Sequence, residues 1–328
     1  MAKKRRGSNN PYHNLAKEQF DELNEEFYSN YNTKYYSFKL DSLLKIIESP
    51  DLYCKKSEIN VGVLQYESSF EKEDVLKYAK TELSITVFHC LESFLRLFMA
   101  HCSMKGCPWL DLADMTLTKY NNNIEKLKKD KYNLFGLSDF TDDEIITAVF
   151  YGSKKVPNEV IDKSGLTEQE VIKRFKDYIQ FAIRYLDNKQ DYNSYKHGLH
   201  ITQKEEGFGF SRNEGGRLNE ILSMHGDSLV YLQVKKNKDK NRRWVKTTKW
   251  IDYKLQATLV FFFNLLMDSI LEFWSPERKD FFKPFPIVVT ISDLLENGEN
   301  NVGGKIGREI EGFQITEMSK ELYYYDDE

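Results

Sequence analysis

The residues DYNSYKHGLH at 191–200 combine side chains that could carry out chemistry on a phosphate. Asn193, Lys196 and His197 lie within five positions of one another. If the stretch is helical, Asn193 and His197 lie on one face with Lys196 beside them. Such a trio could bind a phosphate while His197 gives or takes a proton. The alternative is an ordinary helix end, with Gly198 as a left-handed cap and the basic side chains stabilising the helix dipole.

A long predicted helix, KTELSITVFHCLESFLRLFMAH, carries a second set of candidates. On a helical wheel its polar residues fall within an arc of about 120°. They are Glu82, Thr86, His89, Glu92, Ser93 and Arg96. One interpretation is a solvated stripe in which Glu92 and Arg96 form an ion pair one turn apart. The other is a pocket in which the carboxylate and the guanidinium set the pKa and tautomer of His89. His101, five residues after Arg96, faces about 140° away from it.

Two alternating segments, SLVYLQVKK and RWVKTTKW, predict a β-hairpin over 228–250 with a strongly basic tip. Residues 235–249 carry a local charge of +7 in a chain of net charge −4. Lysines at such a tip can simply be solvated or protect a strand edge. A basic ribbon that bears a tryptophan can also contact a nucleic-acid backbone and stack on bases. The candidate nucleic-acid-binding residues are Lys235, Lys236, Lys238, Lys240, Arg242, Arg243 and Trp244.

The cysteines do not have the spacing of a structural zinc site. There is no CxxC or HxxxH pair, although His89-Cys90 and His101-Cys102 bring the two residue types together. We therefore expect buried thiols in core helices, with no metal and no cofactor.

Composition and periodicity predict a mainly α fold with a small antiparallel sheet in the C-terminal third. Phe and Tyr are abundant, at 22 and 20 residues, whereas only 7 prolines interrupt the chain. Thr167 and Glu170 form a capping box that starts a helix with a broad apolar face. The other predicted helices lie near 14–30, 36–48, 71–103, 116–130, 141–151 and 252–274, and a strand-like stretch lies at 59–69.

We divide the chain into three parts. Residues 1–12 are expected to be a disordered basic tail, 13–275 a helical core with the inserted hairpin, and 276–328 an irregular C-terminal extension. The glycines between 207 and 216 are expected to break regular structure, and the stretch ENGENNVGGKIG to form a loop.

The apolar segments do not predict a membrane protein. The start, MAKKRRGSNN, lacks the apolar core of a secretory leader. The longest apolar run, TLVFFFNLLM, is too short to span a bilayer. A cytoplasmic location without membrane contact is the expectation.

The long helix followed by YNSYKHGL resembles the HEPN-like superfamily of bacteria and their phages over residues 70–200. Its motif of an Arg, four to six residues and a His is matched by Arg96 and His101, and an Asn with a Lys-His pair by Asn193, Lys196 and His197. The resemblance implies a helical bundle, often a homodimer, that acts as a metal-independent endoribonuclease in toxin, CRISPR-associated or phage-defence systems.

The same resemblance implies a mechanism and an arrangement of residues. The ribose 2′-OH would attack the adjacent phosphate, a His would move protons, and Lys196 or Arg96 would stabilise the charge on phosphorus. The expected centre consists of His197, Lys196 and Asn193. The side chains expected to face it are Arg96, Glu92 and His89. His101 remains the alternative catalytic His.

A second class of function fits the same sequence. The chain could be a non-catalytic interaction protein, such as a defence-system sensor or a phage- or plasmid-encoded inhibitor, that binds a protein or a nucleic acid. Geometry separates the two hypotheses, because an acid-base site needs His197, Arg96 and His89 within about 10 Å of one another.

Overall fold

Helices dominate the computed structural model, so the prediction of a mainly α fold with an antiparallel sheet in the C-terminal third is confirmed. The structure describes residues 15–31, 34–54, 57–187, 201–214, 217–236, 242–275, 289–296, 303–306 and 317–322. The expected basic tail at 1–12 lies outside these residues.

The described helices follow the apolar periodicity of the sequence closely, with ends within a few residues of the predicted ones. Three short helices, α4, α7 and α10, were not predicted. The helices are α1 (Lys17–Asn30), α2 (Lys34–Glu48), α3 (Lys72–His101), α4 (Pro108–Asp114), α5 (Leu117–Leu127), α6 (Asp142–Tyr151), α7 (Asn158–Ser164), α8 (Glu168–Asp187), α9 (Tyr253–Trp274) and α10 (Ile291–Glu296). A 3-10 turn at Pro50–Leu52 follows α2.

The start of α8 shows why the sequence forms this helix at this position. The backbone N–H of Thr167 donates to the Glu170 carboxylate at 2.8 Å, and the N–H of Glu170 donates to the Thr167 hydroxyl at 3.3 Å. This reciprocal pair satisfies two N–H groups that a helix start leaves without partners. The predicted apolar face is buried, apart from Tyr185, which is half-exposed.

The chain divides into two compact units, each built from three segments. The first contains Met1–Ser37, His89–Asp187 and Phe261–Asp293; the second contains Phe38–Phe88, Asn188–Val260 and Leu294–Glu328. Helices α2, α3, α9 and α10 therefore contribute residues to both units.

Aromatic rings form the core of the first unit. Phe150 stacks on Phe175 with ring centroids 3.8 Å apart, and Phe98 stacks on Phe150 at 5.9 Å. Phe94 contacts Phe263 of α9 edge to face at 5.1 Å. All five side chains are buried. Each such ring removes a large apolar area from water, and paired rings add about 1 kcal/mol beyond that burial.

A five-stranded antiparallel sheet lies in the second unit. Its strands are β3 (Ile201–Glu214), β4 (Arg217–Lys236), β5 (Arg242–Trp250), β6 (Gly303–Ile306) and β7 (Glu317–Leu322). The order is β3-β4-β5-β7, and β6 pairs with the first half of β4. A separate two-stranded hairpin consists of β1 (Ser57–Val61) and β2 (Leu64–Ser68).

Two expectations about the C-terminal half were wrong. Gly207 and Gly209 do not break regular structure, because both lie inside β3, which pairs with β4 along its whole length. A register shift after Phe210 accommodates the extra residue on β4. The extension after 275 was expected to be irregular, yet α10, β6 and β7 lie within it.

Polar contacts of α3 and α9 stabilise the second unit. The Ser84 hydroxyl donates to the Gln256 side-chain oxygen at 2.9 Å, and both residues are buried. Lys80 forms an ion pair with Asp227 on β4, and its ammonium lies 5.5 Å from the centroid of the Tyr253 ring. These contacts fix the position of β4 against the first half of α3.

Two described helices are long and apolar enough to cross a membrane by length and composition alone. In α3, 78% of the most apolar window is buried inside the chain, and in α9 50% is buried. The larger buried share of α3 is also what the core helix of a globular protein shows. The cytoplasmic location stays a prediction.

Two helix-ending glycines allow a test of the packing in the first unit. Gly152 after α6 and Gly165 after α7 both adopt left-handed backbone, with φ of +57° and +69°. A Cβ at Gly152 would overlap the ring of Phe273, whereas a Cβ at Gly165 would meet no atom within 4 Å. Gly165→Ala should therefore cost only the left-handed strain of about 1–2 kcal/mol.

Gly152→Ala should cost about 1–3 kcal/mol more, because the Phe273 ring must move. Urea unfolding of the two variants beside the wild type measures the difference. Equal free energies of unfolding would show that Phe273 does not pack against this turn.

Candidate nucleic-acid interface

Arg96 lies in the part of α3 that belongs to the first unit, and the residues it contacts belong to the same unit. Its Nε and Nη2 each lie 2.8 Å from Oε1 of Glu92, so the predicted ion pair one turn apart is present. The guanidinium also lies over the ring of Tyr120, 4.4 Å from the centroid. Each side chain of the pair keeps only about a third of its surface exposed, at 29% and 31%. Arg96 is therefore neutralised by a carboxylate and stacked on an aromatic ring.

The rest of the polar stripe on α3 is also bound within the chain. Glu82 pairs with Lys39 of α2 at 2.6 Å. The Tyr36 hydroxyl donates to the backbone carbonyl of His89 at 3.1 Å and lies 2.7 Å from the Ser93 hydroxyl. These polar contacts join the stripe on α3 to α2.

His101, the alternative catalytic residue, is buried in the first unit. Its Nδ1 lies 2.7 Å from the Leu97 carbonyl, which can only accept, so Nδ1 carries the proton. Its Nε2 then accepts from the Tyr28 hydroxyl at 3.0 Å. The ring packs edge-on to Trp274 with centroids 5.5 Å apart. Burial lowers the pKa of His101 to about 4, although the bond to Leu97 opposes the shift.

The structure gives Arg96 and His101 different partners. Arg96 contacts Glu92 and Tyr120, whereas His101 contacts Tyr28 and Trp274, as their opposite directions on the helical wheel predict. A buried neutral imidazole of this kind has no open position for a substrate. The other predicted centre, Asn193, Lys196 and His197, lies outside the described residues.

The predicted hairpin is present as β4 and β5. Its register determines which residues lie opposite Trp244. Trp244 is directly opposite Val234 on β4 and opposite position 322 on β7. In the neighbouring row, Lys246 lies between Leu232 and Lys320. Directly opposite residues share one side of a sheet. We call this set the Trp244 face: Leu232, Val234, Trp244, Lys246 and Lys320.

The two sides of these strands differ sharply in burial. Tyr231, Val245 and Thr247, on the other side of the sheet, are buried. On the Trp244 face, Trp244 is 41% exposed, and Leu232 and Val234 are also exposed. The sheet packs against the core of its unit through the opposite side. The apolar side chains of the Trp244 face therefore remain exposed, where a partner can contact them.

The register also places basic residues directly opposite each other on neighbouring strands. Three such pairs of positions occur. Lys236 with Arg242 and Lys246 with Lys320 lie on the side of Trp244, whereas Lys235 with Arg243 lies on the other side of the sheet. Positions directly opposite each other share one side of a sheet, so an anion beside such a pair would meet cations from both strands. Of the predicted binding residues, Lys238 and Lys240 lie outside the described part of the chain, and only backbone pairing is described for the four at the strand ends.

Sequence reasoning identified Trp244 but missed its neighbours. Lys320 belongs to β7, which was not predicted, and Leu232 and Val234 were regarded only as strand residues. The alternation of β4 was the available signal, because the positions on one side of a strand share their surroundings.

All four cysteines lie among the described residues as free thiols. Among the described residues, no group of three or more His, Cys, Asp or Glu side chains could hold a metal ion. Burial raises the pKa of the Cys90 and Cys102 thiols, and Asp111 and Asp142 raise that of Cys102 further. Protonated thiols are poor ligands for metals.

The burial of His101 predicts a specific dependence of stability on pH. Its pKa is about 4 in the folded protein and 6.5 as the ordinary value, so the unfolded chain takes up a proton that the folded chain does not. The contribution to stability is complete above pH 6.5 and is lost as the pH falls towards 4, by about 3 kcal/mol in total.

In His101→Gln, which keeps a polar side chain without this titration, that part of the decline should be missing. Urea unfolding at a series of pH values between 4 and 7 measures it. A decline as steep in the variant as in the wild type would contradict the burial of a neutral His101.

No protein-family model, curated protein or solved structure matches this chain. The resemblance to the HEPN-like superfamily therefore stays a prediction.

Proposed function

We propose that the protein is a non-catalytic interaction protein that binds single-stranded RNA on the Trp244 face. One observation carries the proposal: an exposed tryptophan lies beside exposed aliphatic side chains, on a sheet whose register sets basic residues opposite basic residues. This combination fits a ligand that is polyanionic along its backbone and planar in its bases.

The cations supply affinity without sequence preference. A nucleic-acid backbone places a phosphate on every nucleotide, and lysines and arginines that neutralise phosphates release bound counterions. Lys246 and Lys320 lie directly opposite each other on β5 and β7, so one phosphate between them would contact both. Binding should therefore weaken steeply as salt rises.

The tryptophan selects for unpaired bases. Stacking of one base on an aromatic side chain contributes about 1–3 kcal/mol and tolerates any base. A duplex keeps its bases stacked on one another and cannot offer a free base face to Trp244. Val234 and Leu232 extend the apolar surface on which a base would lie.

The contacts on α3 favour binding over cleavage. Arg96 is paired with Glu92, and His101 is buried with both ring nitrogens bonded. Neither side chain is placed for the proton transfers that a metal-independent ribonuclease needs.

Trp244→Ala should weaken binding to a single-stranded RNA of mixed sequence about tenfold or more, because one stacked base is lost. Trp109→Ala is the matched control, since Trp109 is exposed to 42% but lies on α4 in the other unit. Fluorescence anisotropy with a labelled RNA, a single-stranded DNA and a duplex measures the Kd. Equal loss in both variants, or equal affinity for duplex and single strand, would contradict the proposal.

Lys246→Glu should weaken binding at low salt and reduce the slope of log Kd against log salt concentration. Lys131→Glu makes the same change of charge at an exposed position in the first unit and should leave both unchanged.

RNA incubated with the protein in EDTA should be bound and remain intact. The endoribonuclease implied by the resemblance predicts the opposite. Cleavage that disappears in His197→Ala would replace the binding proposal with that activity and place its centre at Asn193, Lys196 and His197. Cleavage lost in Arg96→Ala and His101→Ala would instead place it on α3. Gel analysis of a labelled RNA reports each outcome.

A further inference from the structure

The β1–β2 hairpin in the second unit has one apolar and one polar side. A tight turn with left-handed Gly62 joins the strands, and Val61 pairs with Leu64 beside it. The register then places positions alternately on the two sides. The apolar side carries Val61 and Leu64 in one row and positions 59 and 66, an Ile and a Tyr, in the next. The polar side carries Asn60 opposite Gln65 and Glu58 opposite Glu67.

Strict alternation normally marks a strand whose apolar side is buried. Here the apolar side faces water: Val61 is 65% exposed, Leu64 68% and Tyr66 60%. The two strands pair with each other and with no other described strand. A hairpin of two strands is at best marginally stable by itself and needs packing against another surface. The alternating pattern therefore predicts that the apolar side packs against another surface. The described part of the chain does not provide that surface.

We propose that this cover is a second copy of the chain, with the apolar sides of two β1–β2 hairpins packed face to face about a two-fold axis. The contact set on each copy is Val61, Leu64 and Tyr66, with Val63 at the turn. This interface is separate from the Trp244 face and does not depend on the proposed binding of RNA.

The distribution of charge favours a second copy. No charged residue lies on the apolar side, while Glu58 and Glu67 lie on the other. Two identical hairpins can therefore approach face to face with their carboxylates in water. A nucleic acid would find no cation among the described residues of this hairpin, and the two glutamates would repel its phosphates.

The polar side argues against a lipid surface. Asn60 and Gln65 lie directly behind Val61 and Leu64, one residue from the turn. Insertion of the tip into hydrocarbon would take these two amides with it, which is costly without hydrogen-bond partners. Face-to-face packing leaves them in water.

The size of the contact sets the strength of the dimer. Four side chains that bury about 100 Å² each would give roughly 800 Å² over both copies, below the 1,200–2,000 Å² of stable interfaces. The dimer should therefore form reversibly, in the micromolar range or above, and respond to single substitutions.

Sedimentation velocity of the full chain, from low micromolar to several hundred micromolar, tests the proposal. The wild type should shift from monomer to dimer with concentration. Leu64→Lys combined with Tyr66→Lys should raise the dissociation constant by about a hundredfold, because it places cations in the apolar contact. Asn60→Lys combined with Gln65→Lys is the matched control: it adds the same charge to the other side of the same hairpin and should leave dimerisation unchanged.

Three results would overturn the proposal. They are a wild type that stays monomeric at every concentration, equal loss of dimer in both double variants, and a monomer that co-sediments with phosphatidylcholine vesicles through Leu64 and Tyr66. Circular dichroism of each variant establishes that the helices are intact, and Val63→Asp at the turn gives a second, single-site measurement that should also weaken the dimer.

Discussion

The register of β4 is the constraint on which the second unit and its proposed function depend. This strand pairs with β3, β5 and β6, and successive residues along it point to opposite sides of the sheet. A slip of one residue against β5 would turn Trp244 to the buried side and expose Val245. Contacts at the base of the strand prevent this slip. Asp227 pairs with Lys80, its carbonyl accepts from the N–H of Ile251, and Trp250 is buried opposite Ser228.

Local patterns in the sequence predicted most helices, because a helix forms its bonds between near neighbours. Thr167 and Glu170 marked the start of α8, and the spacing of Glu92 and Arg96 predicted their ion pair. The strands β3, β6 and β7 were missed for the opposite reason. The partners of β6 and β7 lie far along the chain. In β3, which pairs with the next strand, Gly207 and Gly209 are unfavourable in an isolated strand. Pairing with β4 over many residues outweighs that local cost.

The candidate site was predicted in part for the same reason. Trp244 and its basic neighbours lie within one hairpin, so spacing alone was sufficient to associate them. Lys320 joins them only through the pairing of β7 with β5, a contact over more than seventy residues. The depth of His101 was likewise not visible in the sequence, since it results from packing against Tyr28 and Trp274, which come from distant helices. A catalytic and a structural histidine look identical in a sequence, because only their surroundings in the fold distinguish them.

The route of the chain through the two units has a consequence for how the protein acquires its structure. Each unit is assembled from three separated segments, and the chain leaves and re-enters each of them. Within the first unit, Phe94 must meet Phe263, and within the second, Ser84 must meet Gln256, each across about half the length of the protein. Contacts between such distant residues slow folding, because a long loop has to close before either is gained. During synthesis the apolar face of α3 is made long before α9, so it stays uncovered until α9 is complete.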